Sequence, residues 1–196
     1  MVLDVGANSD CKPLHLLQFG LMGCICAKQI FKQDNPRIGL LNMGKEDIKG
    51  NKLVRDTYVL LEKAPINFIG NVEGMDIING ECDVAVCDGF TGNIVLKFGE
   101  GLINLIFETI KSYMGTNWQW KLGVIFPKSS FSDLAKRMSY EEYGGALLLG
   151  VDGITIVCHG RSSSKAIKNA IFTAKRFKEE KINDLMREAF SRVIGR

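Results

Sequence analysis

One junction in this sequence combines residue types that suit the binding of an anion. An apolar run over residues 84–87 is followed by Asp88, a two-glycine turn, and a helical pattern that carries Asn93 and, one turn later, Lys97. Such a junction places backbone N–H groups beside a helix N-terminus, where open α/β sheets bind anionic ligands. It predicts the rim of an active site. An ordinary corner between a strand and a helix, in which the glycines only make the turn, is the alternative.

The other candidate strands also lead into polar loops that contain glycine. The residues concerned are Asp4, Gly6 and Asn8; Asn42 and Gly44; Gly70, Asn71, Glu73 and Gly74; and His159, Gly160 and Ser162. In a parallel sheet these loops lie at one edge and can line one crevice. None of them is a GxGxxG or Walker loop, which weighs against dinucleotides and nucleoside triphosphates as ligands.

The elements that must position these loops alternate between strand and helix. A helix is predicted from Pro13, whose fixed φ suits a first helical turn, to a point before Asn35. The elements predicted after it are a strand over 37–41, a helix over 53–61, strands over 66–69, 84–87 and 154–158, and a long basic helix after residue 162. This alternation predicts an α/β fold with a mostly parallel sheet covered on both faces.

Composition restricts the class of protein. The chain has 196 residues, 46% hydrophobic and 24% charged, which predicts a single α/β domain over 1–196. The net charge of +3 is not arranged as the long basic stripe typical of nucleic-acid binding. Six scattered cysteines without a CxxC pair, and only two histidines, give a metal site little support. No secretory signal and no apolar stretch of about 20 residues is found, so a cytoplasmic location is expected.

The late helix carries a cluster of basic residues. Its members are Lys165, Lys168, Lys175, Arg176 and Lys178. Two interpretations stay open for this cluster, namely contact with an acidic partner and a simple solvated helix face.

A helical hairpin is predicted over residues 99–142. A broad apolar stripe over 99–114 and a second helix near 131–142 flank a tip with two tryptophans, a phenylalanine and lysines. Exposed tryptophan and aliphatic residues beside lysine suit a membrane interface or a partner subunit. Burial of the tip in the core is the alternative.

These motifs together resemble the bacterial phosphate acyltransferase family PlsX, in unbroken order over nearly the whole chain. The matching segments are Leu-Asp-Val-Gly-Ala-Asn at 3–8, Gly-Leu-Leu-Asn-Met-Gly at 39–44, Asn-Phe-Ile-Gly-Asn-Val-Glu-Gly at 67–74, Cys-Asp-Gly-Phe-Thr-Gly-Asn at 87–93, Tyr-Gly-Gly-Ala at 143–146, His-Gly at 159–160 and Lys-Ala-Ile-Lys-Asn-Ala at 165–170.

The resemblance implies an enzyme of phospholipid synthesis. Members convert acyl-[acyl carrier protein] and inorganic phosphate to acyl phosphate and free carrier protein. This reaction needs no redox cofactor, so no cofactor is expected. The implied fold is a three-layer α/β/α arrangement similar to isocitrate and isopropylmalate dehydrogenases, in a homodimer that contacts the membrane peripherally. A downstream acyl-phosphate:glycerol-3-phosphate acyltransferase would use the product. Membrane contact is expected at Trp118, Trp120, Leu122, Val124, Ile125 and Phe126.

Acyl transfer from a thioester to phosphate needs a held anion, an aligned carbonyl and donors for the developing oxyanion. Catalytic roles are expected for His159, Lys97 and Asn93. Substrate-binding roles are expected for Asn8, Asn71, Glu73, Gly74, Asp88, Gly89, Gly92, Gly144, Gly145, Gly160, Lys165 and Asn169. His159 would protonate the departing sulfur or bind phosphate, and Lys97 and Lys165 would supply positive charge.

The N–H groups around Gly89 and Gly92 would orient the substrate. Asp4 and Asp88 have a second interpretation as helix caps or loop ties, and Glu73 as the partner of a lysine. His15 is expected to be structural. Cys87 lies within an apolar strand, which argues against a nucleophilic role.

The chain also departs from the family pattern. Members normally have a longer portion before the segment at 3–8, so this chain is expected to correspond to the C-terminal part. Met75 stands where arginine is usual, and Leu147 where proline is common. Two other functions stay open: a dimerisation and membrane-docking module without a complete site, and a related phosphotransacetylase-like enzyme.

Overall fold

The computed structural model describes residues 1–116, 142, 144–193 and 195. The chain divides into two compact units. The first comprises Met1–Ile94, Leu147–Thr155 and Ala174–Arg196, and the second comprises Val95–Ala146 and Ile156–Thr173.

Strands and helices alternate through the first part of the described chain. The strands are β1 (Val2–Leu3), β2 (Ile38–Leu41), β3 (Phe68–Val72), β4 (Val84–Val86), β5 (Ala146–Leu148) and β6 (Thr155–Val157). The helices are α1 (Pro13–Gln29), α2 (Lys52–Glu62), α3 (Gly74–Asn79), α4 (Gly89–Thr116), α5 (Ser164–Glu179) and α6 (Ile182–Val193).

The main sheet lies in the first unit and has four strands in the order β1-β4-β2-β3. All three neighbouring pairs are parallel, so the carboxyl ends of these strands lie at one edge. This confirms the predicted α/β class with a mostly parallel sheet. A second sheet pairs β5 with β6.

Alternating residues of the sheet enter two separate clusters of apolar side chains. Ile38, Leu40, Val84 and Val86 are fully buried in the larger cluster, together with residues of α1, α2 and α6. The opposite face contributes Ala85, which packs in a smaller cluster with neighbours from β1, β3 and α3. This period of two is the geometry of a strand, and burial of each large side chain contributes about 1.5–3 kcal/mol.

Helix α1 is buried around most of its circumference rather than along one stripe. It begins at Pro13, as predicted, and it contacts α2, α6 and three strands. Gly20 and Gly23 permit this close packing, because a Cβ atom would lie 2.8 Å from a Leu61 methyl group at the first and 2.6 Å from a Val84 methyl group at the second.

Strand β3 differs from the prediction. It was expected over 66–69 with Gly70 and Asn71 in the following loop, but it continues through both residues to Val72. Gly70 has φ +92°, and the register with β2 shifts between Ile38 and Leu40. The cause is a β-bulge at which glycine adopts a conformation that other residues rarely reach.

Part of the predicted hairpin lies outside the described residues. Helix α4 covers the apolar stripe at 99–114, but the tip at 118–126 and most of the second helix at 131–142 are not among the described positions. In the part of the chain that the structure describes, no helix combines the length and the apolar character needed to cross a bilayer.

Candidate active site

The loop after β1 is held by the carboxylate of Asp4. Asp4 is 4% exposed, and its Oδ1 accepts hydrogen bonds of 2.8 Å from the N–H groups of Gly6 and Ala7. Its Oδ2 accepts from the N–H of Asn8 at 2.7 Å and from Asn8 Nδ2 at 3.1 Å. Four donors of the loop therefore use this carboxylate, which confirms the interpretation of Asp4 as a loop tie.

The loop after β4 is closed by a helix cap. Asp88 Oδ1 accepts from the N–H of Thr91 at 2.8 Å, and Asp88 Oδ2 accepts from the Thr91 hydroxyl at 2.8 Å. The carboxylate thus caps the first turn of α4, as the second interpretation of Asp88 proposed.

Two glycines let this turn pack directly on the first loop. A Cβ atom at Gly89 would lie 2.7 Å from the carbonyl oxygen of Asn8, and one at Gly92 would lie 1.8 Å from that of Asp4. The Gly89 N–H donates to the Asn8 carbonyl at 2.8 Å, and the Gly92 N–H donates to the Asp88 carbonyl at 2.9 Å. Both N–H groups are therefore already engaged, and neither is available to orient a substrate.

Asn93 lies beside the same loop, one turn into α4. Its side chain is half-buried, and a Cβ atom at Gly6 would lie 3.6 Å from it. Asn8 is exposed in the loop itself. Lys97, one helical turn beyond Asn93 and in the second unit, is exposed.

Asn71 is an unusual buried amide in β3. It is 5% exposed, and its Nδ2 donates to the carbonyl oxygen of Glu46 at 2.8 Å. Its Oδ1 is buried and accepts no hydrogen bond from the residues that the structure describes. Because the Glu46 carbonyl can only accept, the Nδ2 end of the Asn71 amide must face it. The Oδ1 end is therefore the buried acceptor that has no donor.

The same edge continues into the short helix α3. Glu73 precedes this helix, and its N–H donates to Asp76 Oδ2 at 2.8 Å. Lys45 forms ion pairs with Asp76 at 2.9 Å and with Glu81 at 3.2 Å. The Glu73 N–H and the Lys45 ammonium hold the pKa of Asp76 below its ordinary value. Lys45 is therefore bound by Asp76 and Glu81, and the interpretation of Glu73 as the partner of a lysine stays a prediction.

Gly74, the first residue of α3, has a different environment from Gly89 and Gly92. No atom lies within 4 Å of a Cβ atom placed there, and the same is true of Gly160 after β6. The packing of the described chain therefore does not require glycine at either position. Close approach of a ligand to the backbone is one physical reason for such a residue.

In the second unit, His159 follows β6 and is exposed. Its Nδ1 accepts a hydrogen bond from the Arg161 N–H at 3.2 Å, and its carbonyl oxygen accepts from the Ser162 N–H at 2.9 Å. These two bonds hold His159 in the turn that follows β6.

The remaining predicted residues of the second unit gather around α5. A Cβ atom at Gly144, which has φ +80°, would lie 2.2 Å from the Ala170 nitrogen, and one at Gly145 would lie 2.6 Å from the Val157 carbonyl oxygen. Both glycines thus serve close packing. Lys165 pairs with Glu142, and Asn169 is half-buried on α5.

Two other residues behave as the sequence indicated. Cys87 is 3% exposed, and burial, assisted by the charges of Asp88 and Asp4, raises the pKa of its thiol to about 12. Such a thiol is not an activated nucleophile. The His15 ring accepts a hydrogen bond from the Lys12 N–H at 3.3 Å at the start of α1, which is a structural role.

The first unit therefore brings four of the predicted loops to one edge of one sheet, whereas the loop with His159 belongs to the second unit. The Glu46 carbonyl and the Asp76–Lys45 pair were not anticipated. An ion pair or a backbone acceptor from a distant loop has no local sequence signal. The described residues contain no group of His, Cys, Asp and Glu side chains that could hold a metal ion.

Comparison with known proteins gives one consistent result. The model of the family described as fatty acid synthesis protein matches residues 1–185. A phosphate acyltransferase of Pelotomaculum thermopropionicum is 49% identical over 193 residues, which are 98% of this chain and 56% of the relative. The phosphate acyltransferase of Campylobacter jejuni is 50% identical over 186 residues, 95% of this chain and 56% of the relative.

A third relative agrees with these two. The phosphate acyltransferase of Heliobacterium modesticaldum is 51% identical over 175 residues, 89% of this chain and 52% of the relative. The chain thus spans about half the length of the curated relatives it matches. Since the family model covers nearly all of the sequence, the chain belongs to the fatty acid synthesis protein family, the PlsX family that its motifs resemble.

Proposed function

We propose that this protein is a phosphate acyltransferase of phospholipid biosynthesis. It transfers the acyl group of acyl-[acyl carrier protein] to inorganic phosphate and yields acyl phosphate and free carrier protein. The observation that carries the proposal is the match of 89–98% of the chain, at about 50% identity, to relatives named phosphate acyltransferase. Those names favour this activity over the related phosphotransacetylase-like enzyme and over a docking module without a site.

The proposed chemistry is a direct displacement. A phosphate oxygen forms a bond to the thioester carbonyl carbon, the carbon–sulfur bond breaks, and the electron pair leaves with sulfur. The attacking hydrogen phosphate gives up its proton, and this proton restores the carrier thiol. The imidazole of His159, which is an imidazolium while it carries the proton, is the group that delivers it to the departing sulfur. A thiolate leaves readily, so positioning and electrostatic stabilisation can supply most of the acceleration.

Two features of the chain support direct attack. His159 is exposed after β6, and an imidazole there can carry a proton between phosphate and sulfur. Cys87, at the end of β4, is buried, and its thiol has a pKa of about 12, so it is a poor candidate for an acyl-enzyme intermediate.

The site residues divide into two groups in this proposal. Asp88, Gly89, Gly92, Gly144 and Gly145 act by positioning loops, through the cap and the close packing already described. The residues left to meet the substrate are Asn8, Asn71, Glu73, Gly74, Asn93, Lys97, His159, Gly160, Lys165 and Asn169.

Asn71 receives a more specific role. Its buried Oδ1 has no donor among the described residues, and this acceptor suits an N–H or O–H group of the substrate.

The proposal extends to the finer properties that the family resemblance implies. These are a dehydrogenase-like three-layer fold, a homodimer, a hairpin over 99–142 and a cytoplasmic protein with peripheral membrane contact at 118–126. The product would be used by an acyl-phosphate:glycerol-3-phosphate acyltransferase.

The test is phosphate-dependent release of carrier protein from acyl-[acyl carrier protein], with acyl phosphate identified by mass spectrometry. The reaction is measured with this chain alone and with the polypeptide that corresponds to the uncovered part of the relatives added in trans. Release that depends on phosphate and yields acyl phosphate in either sample supports the proposal. Release that proceeds equally without phosphate would contradict it.

A further inference from the structure

The amide of Asn71 combines deep burial with an acceptor that has no donor. Asn71 is 5% exposed, its Nδ2 donates to the Glu46 carbonyl, and its Oδ1 accepts no hydrogen bond from the residues that the structure describes. A buried acceptor without a donor costs free energy, so native structures rarely keep one without a reason. A donor that arrives with a ligand is such a reason.

The position of Asn71 in the sheet agrees with a ligand site. Asn71 pairs in register with Leu40, and the Val72 carbonyl accepts a hydrogen bond from the Asn42 N–H at 2.9 Å. The amide therefore lies where β2 passes into segment 42–50, at the carboxyl edge of the main sheet. Open parallel sheets bind their ligands at this edge. All of these residues belong to the first unit.

Segment 42–50 controls access to the amide. The Glu46 carbonyl of this segment contacts Asn71 directly, so a ligand reaches Oδ1 when the segment shifts outward. Lys45 ties the segment to Asp76 of α3 by an ion pair of 2.9 Å, but the lysine side chain is 56% exposed. Exposed ion pairs contribute little to stability, so this tie does not prevent such a shift.

The charge near Asn71 distinguishes between possible donors. Hydrogen phosphate has an O–H group, but it is an anion. The two segments that meet at Asn71, 42–50 and 71–81, carry two lysines and five carboxylates. Like charges repel, so this surrounding disfavours phosphate and has no such effect on an uncharged amide.

We propose that Asn71 Oδ1 accepts a hydrogen bond from an amide N–H of the arm that carries the acyl thioester. The inference rests on the proposed function and makes Asn71 a residue that recognises the arm rather than phosphate. Carrier proteins hold acyl groups on a pantetheine arm, in which methylene groups alternate with amides. Met43, Ile48 and Met75, on the same two segments, are exposed apolar side chains that suit the methylene groups.

The test compares two uncharged thioesters that differ by a single donor. S-octanoyl-N-acetylcysteamine reproduces the end of the arm with its amide N–H, and 2-(octanoylthio)ethyl acetate has an ester oxygen in place of that N–H. Affinity for the full chain is measured by ligand-observed NMR titration without phosphate, so that no transfer to phosphate takes place. The wild type should bind the amide about 5- to 20-fold more tightly than the ester.

Substitution of Asn71 assigns the preference to its oxygen. Asn71→Leu removes the acceptor in a similar volume, and the smaller Asn71→Ser is the second variant in case the first does not fold. In both, the preference for the amide should fall to within about twofold, with little change in affinity for the ester. A purely structural role would weaken binding of both probes equally.

Asn67→Leu is the matched control. Asn67 precedes β3 at the amino end of the strand, where its Nδ2 donates to the Asn35 carbonyl at 3.3 Å. The same chemical change at this position should leave the preference for the amide within about twofold of the wild type. Circular dichroism of all three variants checks that the fold is retained.

Three results would overturn the inference. They are the absence of an amide preference in the wild type, an amide preference that persists in the Asn71 variants, and weaker binding of inorganic phosphate in these variants without a change in the preference, which would assign the acceptor to the O–H of hydrogen phosphate. An amide preference that depends on Asn71, without phosphate-dependent turnover, would instead contradict the proposed function and leave this assignment standing.

Discussion

At the scale of single residues, the side chains of the candidate site differ in what already binds them. The carboxylates of Asp4 and Asp88 are occupied by donors of their own loops. Asn71 Oδ1, in contrast, is buried and accepts no hydrogen bond from the described residues. The two carboxylates therefore build the site, whereas Asn71 has an acceptor oxygen to offer a ligand.

Gly92 tests whether close packing holds the loops together. In Gly92→Ala the new Cβ atom would lie 1.8 Å from the Asp4 carbonyl oxygen, so the helix or the loop must move. We expect the free energy of unfolding to fall by about 1–3 kcal/mol or more, measured by urea denaturation. Gly99→Ala in the same helix has no atom within 4 Å and should instead raise stability by about 0.5–1 kcal/mol. Equal effects of the two substitutions would contradict this account.

His159 tests the proton transfer. His159→Ala should lower kcat at least tenfold if its imidazole delivers the proton to the departing sulfur, because general acid–base catalysis typically contributes about 10²–10⁴-fold. His159→Gln keeps a side-chain N–H donor but cannot give up a proton. It should be as slow as the alanine variant in a steady-state assay of carrier-protein release.

Recovery of turnover in His159→Gln would show that the residue only binds. His15→Gln is the control, because His15 acts at the start of α1 and its replacement should leave turnover unchanged.

At the scale of elements, the patterns that repeat along the chain were predictable and the irregular ones were not. Helix α1 begins at the predicted Pro13, and β2 and β4 lie within the predicted strands, since apolar periodicity and proline act locally. The bulge in β3 arises from pairing with β2, and α3 is only six residues long, so neither had a clear local signal.

The same distinction separates the parts of the candidate site. The position of polar loops at the carboxyl edge follows from parallel pairing, which alternation of strands and helices predicts. The hydrogen bond from Asn71 to the Glu46 carbonyl joins residues 25 positions apart, and sequence spacing does not report it. Helix α6 also went unpredicted as a separate element, although it completes the larger core.

Ile182 tests that contribution of α6. It is fully buried in the larger cluster, where α6 packs on α1. Ile182→Ala should lower the free energy of unfolding by about 2–4 kcal/mol, because it removes buried methyl groups and leaves a cavity. The exposed Glu188→Ala on the same helix should change it by less than about 0.5 kcal/mol in the same urea titration. If Ile182→Ala lowered the free energy of unfolding by less than about 1 kcal/mol, α6 would contribute little to stability.

At the scale of the whole sheet, the candidate site and a group of stabilising hydrogen bonds lie at opposite edges. The carboxyl edge holds the polar loops of the candidate site, whereas the amino edge is tied by Asp83. Asp83 accepts from the Arg37 N–H at 2.7 Å, from Arg37 Nε and Nη2 at 3.0 Å each, and from Gln33 Nε2 at 3.2 Å. These bonds join the start of β4 to the start of β2, so stability can be changed there without touching the site.

Asp83→Asn tests this division through its dependence on pH. Hydrogen bonds from the Arg37 guanidinium, with the Arg37 N–H, hold the pKa of Asp83 below its ordinary value of 3.8. A lowered pKa in the folded state stabilises the protein above the unfolded pKa, and this stabilisation is lost as the pH falls through the folded one. Asp83→Asn should therefore lower the urea midpoint at pH 7.

The difference from the wild type should be complete above about pH 5 and shrink toward zero in more acidic solution, where Asp83 becomes protonated. Asp56→Asn removes an exposed ion pair with Lys52 on α2 and serves as the control. It should change the free energy of unfolding by less than about 0.5 kcal/mol throughout this pH range. A difference in urea midpoint between Asp83→Asn and the wild type that stays constant at all pH values would contradict this account. It would show that the charge of the Asp83 carboxylate does not stabilise the contact between the starts of β2 and β4.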